Sequence, residues 1–141
     1  MNPILRNALA VIAGALIGGI LNITIINNYP ALFPLPFDCP NDPETWANCF
    51  SQNAHLLEFQ HLISIFLAHG LGTLIGALVA SKLGVSNHLI LALVIGVLFL
   101  IGGFMMCNML NWKPLNFSIL DLSLAYIPMA WLGYKIARLK N

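Results

Sequence analysis

Four long apolar segments alternate with more polar dividers along the chain, and this pattern predicts four helices that span a membrane. The segments cover about residues 4–26, 57–82, 89–109 and 116–137. Each supplies the roughly 20 mostly apolar residues that a helix needs to cross a bilayer. We therefore predict an all-α fold, a transmembrane four-helix bundle that makes a single membrane domain of residues 1–141.

The first divider, residues 27–56, is longer than the other two and is rich in proline. Five prolines fall between positions 30 and 43, and proline cannot donate a backbone hydrogen bond. We expect an irregular loop here, with one short helix around the sequence PETWANCF.

The first apolar segment follows a basic residue, as the core of a signal sequence does. It is longer than the roughly 7–15 apolar residues of such a core, and no A-x-A-like cleavage site closes it. We expect this segment to be retained as the first span.

Composition agrees with a membrane protein. Hydrophobic residues make up 59% of the chain and charged residues 8%, against about 25% charged residues in soluble domains. The formal net charge of +1 gives no sign of a nucleic-acid partner. The expected partners are the lipid bilayer and, within it, further copies of the chain or other membrane subunits. The residues identify no cofactor.

The basic residues indicate an orientation. If both termini are cytoplasmic, only Lys113 lies on the outer side, and the other basic residues satisfy the positive-inside rule. These are Arg6, Lys82, Lys135, Arg138 and Lys140. The proline-rich loop then lies outside, with Tyr29 and Trp112 at the outer interface, where aromatic residues are enriched.

Two of the three cysteines, Cys39 and Cys49, lie in this loop. In an oxidising compartment they are placed to form a disulfide, worth about 2–3 kcal/mol for a loop of this size. Two free thiols are the alternative, and Cys107 is left over in either case. Enzymes that exchange thiols and disulfides use a C-x-x-C pair, which this sequence lacks.

Ionisable residues interrupt the second apolar segment at Glu58, His61 and His69. At about 100° per residue, all three fall on the side of the helix that also carries Gly72 and Gly76. Small residues at four-residue spacing let helices approach closely in lipid, so this side is expected to meet other helices.

The first segment carries a matching row of small residues, which includes Gly14 and Gly18. We expect the first and second spans to pack against each other along these glycines. In the fourth span, Asp121 begins a four-residue row of mostly small residues and should point inward in the same way.

Every predicted span contributes a polar residue to the half of the protein that lies towards the loop. This polar cluster contains Asn22, Glu58, His61, Asn108 and Asp121, with His69 nearer the midplane. A charged group at the centre of a spanning helix costs about 2.5–3.5 kcal/mol on insertion scales, so the cluster is a candidate functional site.

Three interpretations of the cluster stay open. It can be a structural network in which Asp121 pairs with His61 and His69 bonds to a backbone carbonyl. It can bind an ion or carry a proton, because histidine titrates near neutral pH. It can hold a metal ion on Glu58, His61 and Asp121, since E-x-x-H places two ligands on one face of a helix.

No hydrolase, nucleotide-binding or metalloprotease motif is present. The expected function is therefore that of a non-enzymatic accessory or scaffold subunit of a membrane assembly. A small proton- or cation-coupled transporter or channel is the first alternative, and a metal-dependent membrane enzyme is the second.

Three stretches carry a resemblance to a family of small bacterial four-span membrane proteins. They are AHGLGT (68–73), IGG (101–103) and DLSLAYIPMAWLG (121–133). The resemblance implies the same four-span architecture in a bacterial inner membrane, with the large loop in the periplasm. It marks His69, Asp121, Tyr126 and Pro128 as motif positions, which adds Tyr126 to the polar cluster, and it implies no particular activity.

Overall fold

A computed structural model describes residues 2–40, 42–109 and 115–139, and these residues form helices, turns and loops without a β-strand. The helices are α1 (Pro3–Asn28), α2 (Pro43–Asn53), α3 (Phe59–Leu83), α4 (His88–Met109), α5 (Leu115–Leu124) and α6 (Ile127–Arg138). Short 3₁₀ turns at Tyr29–Ala31 and Ala54–Leu56 follow α1 and α2. The predictions that concerned Trp112, Lys113 and Lys140 lie outside the described residues.

Four helical stretches in this part of the chain are long and apolar enough to cross a membrane. They are Pro3–Ala31, Phe59–Leu83, His88–Asn108 and Asn116–Arg138. They pack together and fit a small multi-pass membrane protein, so the predictions of an all-α fold and of four apolar helices are confirmed for the described residues.

The fourth stretch is broken where α5 gives way to α6. Proline at position 128 has no N–H to donate and its ring crowds the preceding turn, and two turn residues, Ala125 and Tyr126, separate the helices. Hydrogen bonds continue on both sides, from the Ala125 amide to the Asp121 carbonyl and from the Ala130 amide to the Tyr126 carbonyl. The break places Tyr126 at a bend in the middle of the span.

Helix α3 lies at the centre and contacts α1, α4 and α6. Its contact with α1 brings the two backbones close together at four glycines. A Cβ atom added to Gly14 would meet the Gly76 carbonyl oxygen, and one added to Gly18 would meet the Gly72 carbonyl oxygen. The two helices therefore approach as closely as their backbones allow.

The loop between α1 and α3 folds over one end of the helices as a cap. Cys39 and Cys49 form a disulfide. Asp42 is the N-cap residue of α2, and its carboxylate accepts a hydrogen bond from the Thr45 amide at 3.1 Å. The expected short helix and the expected disulfide are both present. In the cap, the Trp46 and Phe50 rings stack with centroids 5.0 Å apart.

The opposite end is closed by polar contacts between α1 and the turn from α3 to α4. The Asn7 side chain accepts a hydrogen bond from the Val85 amide at 2.9 Å and donates one to the Ser86 hydroxyl at 3.0 Å. Asn87 adopts a φ of 52°, a conformation that asparagine tolerates better than most residues. These contacts hold the first span against the turn.

Candidate functional site

The candidate site is built around Asp121, a carboxylate with an exposed fraction of 2%. Its Oδ2 lies 2.8 Å from Nδ1 of His69 on α3 and 3.4 Å from the donating hydroxyl of Tyr126. The rings of His69 and Tyr126 lie side by side, with centroids 5.5 Å apart. A carboxylate, an imidazole and a phenol thus meet inside the protein.

Three features of the chain bring these groups together. The four-residue row that begins at Asp121 passes through buried Ala125 and Gly133, which turns Asp121 towards α3. The bend between α5 and α6 presents Tyr126 to α4, where the absence of a side chain at Gly103 leaves room for the phenol hydroxyl. Because residues 69 and 121 are 52 positions apart, the site forms only when the helices pack.

A cavity of about 710 Å³ lies beside this group, in the half of the protein towards the cap. Its walls come from α1, α3, α4 and α5, and Trp46 and Phe50 of the cap line it as well. His69, Asp121 and Tyr126 are its polar lining in the middle of the span, and most of the remaining lining is apolar. The cavity is as large as many small-molecule sites, which occupy roughly 300–1,000 Å³.

Two buried oxygens at this cavity have no hydrogen-bond partner in the described part of the chain. They are Oδ1 of Asp121 and Oδ1 of Asn22, and both residues line the cavity. An unmade hydrogen bond at a buried polar atom costs roughly 1–3 kcal/mol. Both atoms are acceptors, so what they lack is a donor.

His61 is occupied by contacts with the cap. Its Nδ1 accepts a hydrogen bond from the Glu58 amide at 3.1 Å, which requires Nδ1 to carry no proton. The protonated Nε2 then donates to the Pro34 carbonyl at 3.1 Å. The pairing of Asp121 with His61 in the structural-network interpretation is therefore wrong. The His61 ring closes the first turn of α3 and holds the cap. Asp121 pairs instead with His69, which the same interpretation bonded to a backbone carbonyl.

Glu58 lies outside the helical core. It is the exposed N-cap residue of α3, and its carboxylate accepts a hydrogen bond from the Gln60 side chain at 3.0 Å. Among the described residues no three histidine, cysteine, aspartate or glutamate side chains come together in a way that could hold a metal ion. Glu58, His61 and Asp121 thus do not form the three-ligand group that the E-x-x-H spacing allowed.

The two asparagines of the polar cluster lie in different environments. Asn22 is half-buried and lines the cavity. Asn108 is exposed and donates a hydrogen bond to the Phe104 carbonyl of its own helix at 2.9 Å. The cavity therefore receives a polar residue from α1, whereas α4 contributes Cys107 rather than Asn108.

Sequence reasoning did not assign a place in the site to Gly103, Cys107 or Ser118. Gly103 belongs to the IGG stretch, and this pair of glycines is the sequence signal that could have indicated a close contact at this position of α4. Cys107 and Ser118 are small residues that line the cavity, and nothing in their sequence surroundings distinguishes them.

Comparison with models of protein families, with curated protein sequences and with solved structures finds no match to this chain. The resemblance to a bacterial four-span family stays a prediction. The class that the fold and the site define is a small multi-pass membrane protein with a buried carboxylate–imidazole pair beside a cavity between its helices.

Proposed function

We propose that this protein binds a small molecule between its helices, within the membrane and beneath the cap. The observation that carries the proposal is the position of Asp121, a buried carboxylate with one unpartnered oxygen that lines a cavity of about 710 Å³. A pair that serves stability alone would be expected to satisfy both carboxylate oxygens, because a buried charge is costly unless all its lone pairs find partners.

The size of the cavity supports the same function. Protein interiors are packed as densely as organic crystals, with few voids larger than a water molecule. A space of this size beside the polar group of the span is large enough for a small molecule.

The test compares two substitutions on α5. Ser118→Phe places a ring at a half-buried position in the cavity wall, whereas Ser123→Phe places the same ring at an exposed position of the same helix that does not line the cavity. Protein purified in lipid nanodiscs is extracted with organic solvent and its small molecules are measured by mass spectrometry.

We expect one compound at near-stoichiometric amount with the wild type and Ser123→Phe, and a loss of most of it with Ser118→Phe. Equal amounts with the two variants, or no compound enriched over the nanodisc lipids, would contradict the proposal.

A second candidate function is proton or cation movement through the His69–Asp121 pair, which the 2.8 Å contact favours. One turn further from the cap on α3, Thr73 is fully buried, and its hydroxyl donates a hydrogen bond to the His69 carbonyl. Further along α3, alanines and glycines fill the core of the described structure, so a route to the other side needs a second copy of the chain. Flux into liposomes that is equal for wild type, Asp121→Asn and His69→Ala would exclude this function.

No contact within the described residues favours an accessory or scaffold role over ligand binding, and that role stays a prediction. A native mass measurement in mild detergent tests it directly. A chain that travels only as a monomer would count against it.

We further propose that both termini are cytoplasmic and that the cap faces the periplasm from a bacterial inner membrane. Lys82, Lys135 and Arg138 lie in the last turns of α3 and α6, at the end opposite to the cap, as the positive-inside rule expects of a cytoplasmic side. The disulfide in the cap favours an oxidising compartment. A reporter enzyme active only in the periplasm should be inactive when fused to the C-terminus, and activity there would overturn this orientation.

A further inference from the structure

The cavity has open space beside α1 and beside α4. Gly19 and Gly102 both line it, and a Cβ atom added to either would meet nothing within 4 Å. One position earlier on α1, a Cβ atom added to Gly18 would lie 3.1 Å from the Phe99 ring, so the space beside α1 is filled at that level. The exposed side chains of Ile23 and Met106 line the cavity on the other side of these glycines.

This opening lies inside the apolar part of both helices. Gly102 is six positions before Asn108, where the apolar stretch of α4 ends, which places it about 9 Å below that end at a rise of roughly 1.5 Å per residue. At that depth the neighbours of a membrane protein are lipid chains, so a molecule that enters here comes from the bilayer.

The polar lining of the cavity accepts hydrogen bonds. Asp121 Oδ1 and Asn22 Oδ1 are the two buried side-chain polar atoms that lack a partner among the described residues, and each is an acceptor. Oδ2 of Asp121 already receives the Tyr126 hydroxyl and contacts His69. A molecule that completes the site therefore brings a donor.

The charge in the site points to a neutral donor. Among the described residues that line the cavity, Asp121 is the one acidic residue, and His69 lies against it as a partner that is able to carry the opposite charge. A ligand ammonium group would compete with His69 for the same carboxylate. A hydroxyl group donates one hydrogen bond and adds no charge to a low-dielectric interior.

The geometry points to a ligand drawn from the bilayer that carries a hydroxyl group on an apolar body. In this inference, which rests on the proposed function, the molecule passes between Gly19 and Gly102, its hydroxyl donates to Asp121 Oδ1, and its apolar body fills the cavity beneath Trp46 and Phe50. Asn22 Oδ1 is an acceptor for a second donor on the same molecule.

The experiment uses wild-type protein in phosphatidylcholine nanodiscs and three photoreactive probes. Each has the same 16-carbon chain with a diazirine in the middle, and the chain ends in a hydroxyl, an amine or a methyl group. After irradiation, mass spectrometry of the digested protein measures the labelled fraction of peptides that line the cavity and of peptides on the outer surface.

We expect the alcohol probe to label cavity peptides about tenfold more than the methyl probe, the ratio that one good hydrogen bond supplies, and more than the amine probe. Unlabelled hexadecanol should compete and hexadecane should not. This comparison needs no variant and so does not depend on how a variant folds.

Two variants test the residues. Asp121→Leu should remove the preference for the alcohol probe, and the double variant Gly19→Leu/Gly102→Leu should slow labelling of the cavity about tenfold by filling the opening. Ala8→Leu, at an exposed position of α1 that does not line the cavity, should change neither. Both glycines have open space around an added Cβ, so the double variant is expected to fold.

The outcomes separate this inference from the proposed function. Cavity labelling that is equal for the three probes, or strongest for the amine, would overturn the hydroxyl class while small-molecule binding stands. Rapid labelling of the double variant would overturn entry between α1 and α4. Surface labelling without any cavity labelling would overturn both the inference and the proposed function.

Discussion

The hydroxyl of Tyr126 occupies the space that a side chain on Gly103 would need. This contact joins α4 to the bend between α5 and α6, and it holds the phenol at 3.4 Å from Asp121 Oδ2. Tyr126 has an exposed fraction of 1%, so its ring has little freedom to move away.

Gly103→Ala should therefore destabilise the protein. We expect a loss of about 1–3 kcal/mol in the free energy of unfolding, as for other side chains added to a filled interior, measured by denaturant titration in mild detergent. Gly102→Ala is the matched control, because a Cβ atom there meets nothing within 4 Å, and alanine favours a helix over glycine by up to about 1 kcal/mol. Equal stability of the two variants would show that the Tyr126–Gly103 contact is not tight.

The backbone contact of α1 with α3 leads to a second prediction. Gly18→Ala should lower the free energy of unfolding by about 1–3 kcal/mol, because the added methyl group meets the Gly72 carbonyl oxygen, which cannot rotate away. Gly19→Ala, at the next position of the same helix, has open space and should be neutral or slightly stabilising. Thermal unfolding followed by circular dichroism distinguishes the two, and a stable Gly18→Ala protein would argue against the close approach.

The His69–Asp121 pair should be coupled and asymmetric. His69→Ala leaves a buried carboxylate without its partner, which costs roughly 3–5 kcal/mol, whereas Asp121→Ala leaves an imidazole that can stay neutral and should cost less. In a double-mutant cycle the effects should fall short of additivity by about 0.5–3 kcal/mol. Additive effects in denaturant unfolding would mean that the 2.8 Å contact contributes nothing to stability.

The disulfide should stabilise the cap more than the membrane-spanning helices. Its two cysteines are ten positions apart, and a loop of that size gains about 2–3 kcal/mol from its cross-link. Cys39→Ser/Cys49→Ser should speed proteolysis between residues 32 and 57, measured by mass spectrometry of the fragments. Cys107→Ser removes the free thiol without touching the cap and should leave the rate unchanged, and a similar acceleration by both variants would refute a specific role for the disulfide.

Hydropathy alone predicted the four apolar helices, because lipid imposes a strong selection on side chains along each helix. It could not predict which ring pairs with Asp121. That choice depends on the path of the cap, because both ring nitrogens of His61 are hydrogen-bonded, one to Glu58 and the other to Pro34. The path of an irregular loop cannot be predicted from sequence periodicity.

The sequence also could not predict which side of α4 faces the other helices. The helix is apolar on every side, so its pattern indicates no inner face, and Asn108 was assigned to the cluster although it is exposed. The inner face of α4 is marked by contacts with distant residues, such as Gly96 with Ala130 and Gly103 with Tyr126. Asp121 was different, because its four-residue row of small residues defines an inner face within one helix.

The glycine contact between α1 and α3 bears on how the chain is made. Both helices emerge from the ribosome before α4, and their contact needs no residue beyond Ala80. Because domains tend to fold as units during synthesis, with the earlier part first, these two helices are able to associate as a hairpin while the rest of the chain is still being translated. In that order the later helices would pack against an existing α1–α3 pair, and the cavity, whose walls include residues of α4 and α5, would form after that pair.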